Sequence, residues 1–237
     1  GKDMIISDVT GSFGGDTFTC LIGRNGSGKS TLLRAMAGIT PFQGEILLSG
    51  QPIRAMSGSE RASHLSYLPQ TRPVPAMTVR MMVEHGRFPY LGFSKVLKAN
   101  DRALVEQAAE LAGISHLMDR ELDTLSGGER QRAYIAMSIA QDADMILLDE
   151  PTTFLDVEYQ LEILSRLKNL NQQRRGIVMV LHDLVQAFSF ADRIVVIDEG
   201  RIKMAGEPEE LIGSRMLGRI FGVELVRVAG TDSVYPY

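Results

Sequence analysis

The sequence predicts an α/β fold built on a mainly parallel sheet with helices on both faces, and three observations carry that prediction. Short apolar runs at residues 19–22, 65–68, 145–148, 177–181 and 194–197 are strand-length and mostly unalternating, as expected of strands buried on both sides. Helical periodicity fills the intervals: Leu104, Ala108, Leu111 and Ala112 share one face, as do Val157, Leu161 and Leu164 with Ile163 beside them. The chain of 237 residues, 44% hydrophobic and 23% charged, can bury a sizeable core, and its length suits one large domain carrying an insertion. Alternating strands and helices of this kind place ligands at the carboxyl ends of the strands.

In chain order, the run 19–22 opens the sheet and leads into a glycine-rich loop. Residues 44–53 read as a small antiparallel strand pair with a turn at Ser49-Gly50. Strand 65–68 follows. Residues from about 77 to 140 read as an inserted helical subdomain, with caps and breaks at Asn100, Gly113 and Ser126. The core is then expected over about 1–76 and 141–215. A tail, 216–237, has short strand-like pieces from Met216 onward and no chemical signal.

The balance of charge and cysteine excludes several classes. Twenty-five basic against 29 acidic residues give a net charge of -4, without the clustered cations that phosphate-backbone binding needs, so no nucleic-acid partner is expected. The one cysteine, Cys20, lies in an apolar run and reads as a buried structural thiol in a reducing compartment. No apolar stretch approaches the roughly 18 residues that cross a bilayer, and the N-terminus lacks a signal-peptide pattern. A start at Gly1 in place of Met suggests a truncated or processed product.

Gly23, Arg24, Asn25, Gly26, Ser27, Gly28, Lys29, Ser30 and Thr31 fit the P-loop pattern between a strand ending at Ile22 and a helix beginning near Lys29. Its glycines let backbone N–H groups turn onto phosphates, the helix end adds positive potential, Lys29 can reach the β and γ oxygens, and Ser30 can offer a hydroxyl to Mg²⁺. A purely structural glycine turn is the competing reading. Residues 145–151 form a buried strand delivering Asp149 and Glu150 at its end. Asp149 suits the Mg²⁺ shell, and Glu150 suits a base that orients water against a γ-phosphate; carboxylates that merely solvate a strand end are the alternative.

Leu125-Ser126-Gly127-Gly128-Glu129 opens another helix, with Ser126 as its cap and a nest of N–H groups. Alone, it could be an ordinary capped helix. Between a P-loop and a carboxylate-bearing strand, it closely resembles the LSGGQ signature of ATP-binding cassette ATPases, with Glu129 departing at the last position in a change expected to lie outside the anion nest. Tyr67-Leu68-Pro69-Gln70 resembles that family's Q-loop, Phe154-Leu155-Asp156 its D-loop, and Leu181-His182-Asp183 its switch histidine.

The resemblance runs from about Met4 to Leu211. It implies a P-loop NTPase core of the RecA-like kind, hydrolysing ATP with Mg²⁺ in a head-to-tail dimer. Each ATP would be sandwiched between one subunit's P-loop and the other's Ser126, Gly127 and Gly128. Gln70 would reach the metal and attacking water, His182 would face the γ-phosphate at the end of a strand, and Asp156 would cross to the partner. His64, His85 and His116 are expected at the surface or in packing. The family's adenine-stacking aromatic is expected to lie off the N-terminus, with Phe13 packing instead.

Gly86-Arg87-Phe88-Pro89, Pro151-Thr152-Thr153-Phe154-Leu155-Asp156 and His182-Asp183-Leu184 with Ala187, Ala191 and Asp192 resemble the ATPases of ferric-siderophore, haem and cobalamin importers. Iron-siderophore uptake is favoured. The implied setting is peripheral, on the cytoplasmic side of the bacterial inner membrane. The implied partners are a permease that docks near Gln70 and residues 78–91 and, indirectly, a substrate-binding protein. A soluble ATPase of the iron-sulfur assembly type is the alternative; a binding module without turnover conflicts with Glu150 and His182.

Overall fold

The computed structural model describes residues 5–92, 96–223, 225–227 and 234–236. In chain order the elements are β1 (Phe18–Ile22), α1 (Lys29–Met36), β2 (Leu47–Leu48), β3 (Gln51–Pro52), α2 (Gly58–His64), β4 (Leu65–Leu68), α3 (Val79–Glu84), α4 (Ala99–Leu111) and α5 (Gly127–Ala140). There follow β5 (Met145–Asp149), α6 (Val157–Asn171), β6 (Gly176–Val180), α7 (Leu184–Phe190), β7 (Arg193–Asp198), β8 (Arg201–Gly206), α8 (Pro208–Leu211), α9 (Arg215–Phe221), β9 (Leu225–Arg227) and β10 (Val234–Pro236).

The main sheet has the order β4-β5-β6-β1-β7-β8, parallel throughout except for the β7–β8 hairpin at its edge. The expected strands all sit in it. Side chains alternate strictly between its two faces. Cys20, Ile22, Ile146, Leu148, Ile177, Met179, Ile194 and Val196 point into the core shared with α3 to α7, whereas Leu21, Leu147, Val178, Val180, Val195 and Ile197 pack against Leu32, Leu33 and Met36 of α1. Burial on both faces explains the unbroken apolar runs, and it pushes the Cys20 thiol far above its ordinary range, with desolvation the main cause. Cys20 is thus a packing residue.

The strand pair over 44–53 is β2 and β3, turning at Ser49 and Gly50, both at positive φ (51° and 80°) as a tight hairpin turn requires. Phe13 is half-buried against the α1-side core.

Three expectations need correction, and one strand was missed. Helix α4 is capped by Lys98, whose N–H donates to Asp101 Oδ2 at 3.0 Å; Asn100 lies inside the first turn, because Asp101 reaches back to the cap. On α6 the buried stripe is Ile163, Leu164, Leu167 and Leu170, and Val157 and Leu161 are exposed, so the apolar face is rotated from the one predicted. Met216 belongs to helix α9, and the strand-like pieces begin only at Leu225. Strand β8 was not anticipated: its alternating Arg-Ile-Lys-Met pattern covers a half-exposed edge.

Candidate functional site

Four neighbouring parallel strands, β4, β5, β6 and β1, deliver the chemistry from their carboxyl ends, which lie side by side. The loop after β1 turns sharply. Gly28 has φ 105°, and a Cβ there would lie 2.4 Å from Ile6 Cγ2; a Cβ on Gly23 would lie 2.0 Å from the Ile197 carbonyl. Both positions demand glycine. Helix α1 starts at once, so the N–H groups of its first turn point into the loop. Ser27 is buried, with its hydroxyl unpartnered; Arg24, Asn25 and Gly26 are exposed, and Ser30 and Thr31 are half-buried. Lys29 is only 5% exposed, and its ammonium bridges the Gly23 and Arg24 carbonyls at 2.8 and 3.0 Å. Burial pulls its pKa down, and Glu150 and then Asp149 oppose that pull.

Asp149 ends β5 at 3% exposure and accepts a hydrogen bond from Ser30 Oγ at 2.8 Å. Burial raises its pKa, against the Ser30 hydrogen bond and with help from Glu150. Tyr67, nearby on β4, has its hydroxyl pushed up to about 12, by burial first and by Asp149 second. Glu150 sits just beyond the strand in the left-handed region, φ 52°. That conformation costs on the order of 1–3 kcal/mol and turns the carboxylate back over the sheet's end. Its Oε1 lies 2.5 Å from His182 Nε2, and its Oε2 accepts from Gln70 Nε2 at 2.5 Å and from Thr153 Oγ1 at 3.5 Å. The Glu150 side chain is 12% exposed.

Gln70 and His182 thus hold Glu150, Ser30 holds Asp149, and the two carboxylates sit side by side within electrostatic reach of Lys29. His182 stands two residues past β6, which ends at Val180; Leu181 still donates to Leu21 O and carries the strand direction on to it.

A second group lies apart from the first. Ser126, Gly127, Gly128 and Asp156 line a cavity of about 570 Å³ together with Glu129, Arg132, Phe154, Leu155 and Tyr159, and no P-loop residue borders it. Ser126 caps α5, and Asp156 begins α6 without using its own exposed side chain as a cap. Glu129 departs from expectation. Its Oε2 accepts from Ser126 N at 2.8 Å and from Ser126 Oγ at 2.7 Å, so it lies on the anion nest and not outside it. The reason is local: the third residue of a capping box folds back onto the cap.

Sequence reasoning missed the residues that tie the two groups together. Arg72 Nη2 donates to Gln131 Oε1 at 2.8 Å, Gln131 Nε2 donates to Pro151 O at 2.7 Å, and Tyr134 donates to Pro73 O at 2.6 Å beneath the Arg72 guanidinium. The loop after β4 is thereby fastened both to α5 and to the turn after Glu150. These partners are 20 to 61 residues apart in sequence, which leaves no local signal. Of the other histidines, His64 pairs with Asp144 at 2.6 Å, His85 packs edge-on against Phe88, and His116 is exposed.

Known proteins resemble this chain in sequence and in fold. The family described as ABC transporter matches residues 6–153. The petrobactin import ATP-binding protein FpuD of Bacillus anthracis is 42% identical over 227 residues, covering 94% of this chain and 83% of that protein. The ferric enterobactin transport ATP-binding protein FepC of Escherichia coli is 38% identical over 243 aligned positions, covering 100% of this chain and 90% of its own length. Among solved structures, the dimeric bacterial ABC transporter cassette MJ0796 superposes with a TM-score of 0.78 at 25% identity, covering 86% of this chain and 90% of that one. One kinship covers most of the sequence and the fold: the chain belongs to the ABC transporter family and is one of its ATP-binding cassettes.

Proposed function

We propose that this chain is the ATP-hydrolysing subunit of an importer for an iron-siderophore complex, working as a head-to-tail pair. The observation that carries the reading is the convergence of Gln70, Glu150 and His182 beside the Lys29 cradle. The names of the relatives, petrobactin import and ferric enterobactin transport, support the cargo class and favour an importer over an iron-sulfur assembly ATPase.

In this reading Lys29 and the first turn of α1 hold the triphosphate, and Glu150 takes the proton of the water that attacks the γ-phosphorus. His182 and Gln70 hold the carboxylate in place for that transfer. Mg²⁺ fits the donor set, because Ser30 Oγ and Asp149 Oδ1 are hard oxygens already 2.8 Å apart. When bound, the ion would neutralise phosphate charge.

Ser126, Gly127, Gly128 and Asp156 lie in a cavity separate from their own P-loop, which supports their serving a second copy's nucleotide. The permease is assigned to the surface near Gln70 and residues 78–91, where Met81, Phe88 and Tyr90 are exposed at 50%, 54% and 39%. Among the described residues no helix is long and apolar enough to cross a membrane, and a peripheral position on the cytoplasmic face fits a subunit reached through such a partner, with a substrate-binding protein engaged only indirectly.

Glu150→Gln tests the reading. The variant is expected to bind ATP, lose nearly all turnover and accumulate as an ATP-dependent dimer in size-exclusion and phosphate-release assays. A monomeric, fully active variant contradicts it.

A further inference from the structure

The Ser126 hydroxyl has a choice of partner. It donates to Glu129 Oε2 at 2.7 Å, while the same carboxylate oxygen accepts from Ser126 N at 2.8 Å. An incoming γ-phosphate would need that hydroxyl and the positive end of α5, and it would meet a carboxylate already there. Two like charges a few ångströms apart at a half-exposed surface repel substantially.

A second place for the carboxylate exists close by. Arg132 borders the same cavity, stacks over Tyr159 at 4.5 Å and has a buried Nε with no hydrogen-bond partner. Its Nη1 makes only a long contact to Gly113 O, 3.4 Å. Arg120 also lies near enough to favour the charged form of Glu129, and the Ser126 hydrogen bonds are the larger cause of that preference. A carboxylate turned away from Ser126 would therefore meet the Arg132 guanidinium, which borders the same cavity and already favours its charged form.

We propose that Glu129 gates the shared nucleotide site: it withholds the Ser126 hydroxyl from a second copy's triphosphate and sets the ATP concentration at which the pair closes, with Arg132 receiving the carboxylate on closure. This rests on the shared-site reading above and adds a residue that positions the binding group without touching the reacting atoms.

The experiment measures ATP-dependent dimer formation by light scattering in the Glu150→Gln background, with and without Glu129→Gln, at low and high salt. Glutamine keeps the length of the side chain and an oxygen to accept the Ser126 N–H, so the cap of α5 is preserved. The expected result is a fall of about tenfold in the ATP concentration at half-maximal dimer, narrowing as salt screens the repulsion. In the otherwise wild-type chain, the ATP concentration for half-maximal turnover should fall. A Glu129→Ala variant, which keeps the Ser126 cap but loses the reciprocal half of the capping box, should lower thermal stability, separating a structural effect from an electrostatic one. A midpoint unchanged by Glu129→Gln, or a shift insensitive to salt, overturns the gate alone. Absence of an ATP-dependent dimer in both backgrounds overturns the shared-site reading and the gate with it.

Discussion

Lys29 shows how much of a site a single residue can declare. Its position in the glycine pattern marked it as a phosphate ligand to be tested, and its ammonium is buried on two loop carbonyls. Lys29→Ala removes charge-assisted hydrogen bonds worth about 3 kcal/mol together, so nucleotide affinity should drop about a hundredfold in a calorimetric titration; unchanged affinity would remove Lys29 from its role. The glycines, Lys29, Ser30, Asp149 and Glu150 were legible because each is fixed by backbone geometry within a few positions of a strand end. The grip of Gln70 and His182 on Glu150 was not, since it depends on which strands are neighbours and spans 80 residues from Gln70. Glu129 was misread for the opposite reason: its partner is three residues away, and a capping box gives a glutamate at that position an inward-facing task.

At the scale of elements, the sheet's parallel strands were readable from sequence because burial on both faces leaves them almost wholly apolar, with Thr19, Ser66 and Asp149 the buried polar exceptions. Edge strand β8 and the phase of α6 were not: of its apolar residues β8 buries only Ile202 and Met204, and those in part, while the outward side of α6 carries the apolar Val157 and Leu161. The segment at residues 85–90 is fastened by Arg87, which is 4% exposed, donates to Asp101 Oδ1 at 3.0 Å and caps the carbonyls of Ala140 and Gln141, each at 3.0 Å. It also stacks over Tyr90. Arg87→Met strands a buried carboxylate and two carbonyls, and should cost about 3 kcal/mol in a denaturant titration. A loss below about 1 kcal/mol would show that the ion pair contributes little to holding this surface.

For the whole molecule, the separation of two loop clusters on one chain carries the argument for pairing. Ser126→Arg fills the signature cavity and leaves the subunit's own P-loop untouched, so mixed with wild type it should depress turnover in proportion to the mixed pairs formed. Phosphate release that stays constant per wild-type subunit across mixing ratios would refute shared sites.

The far end of α5 is held differently from its signature end. Gln141 Nε2 donates to both Ala62 O and Leu65 O, at 2.6 and 2.9 Å, while its own carbonyl receives Arg87. The 14-residue helix, about 21 Å long, is thus pinned where β4 begins, while Gln131 and Tyr134 tie its signature half to the loop after β4 and to Pro151. A tilt of about 10° around that fulcrum would sweep Ser126 through roughly 4 Å, by the helix rise alone, while leaving the strand that feeds Gln70 almost still.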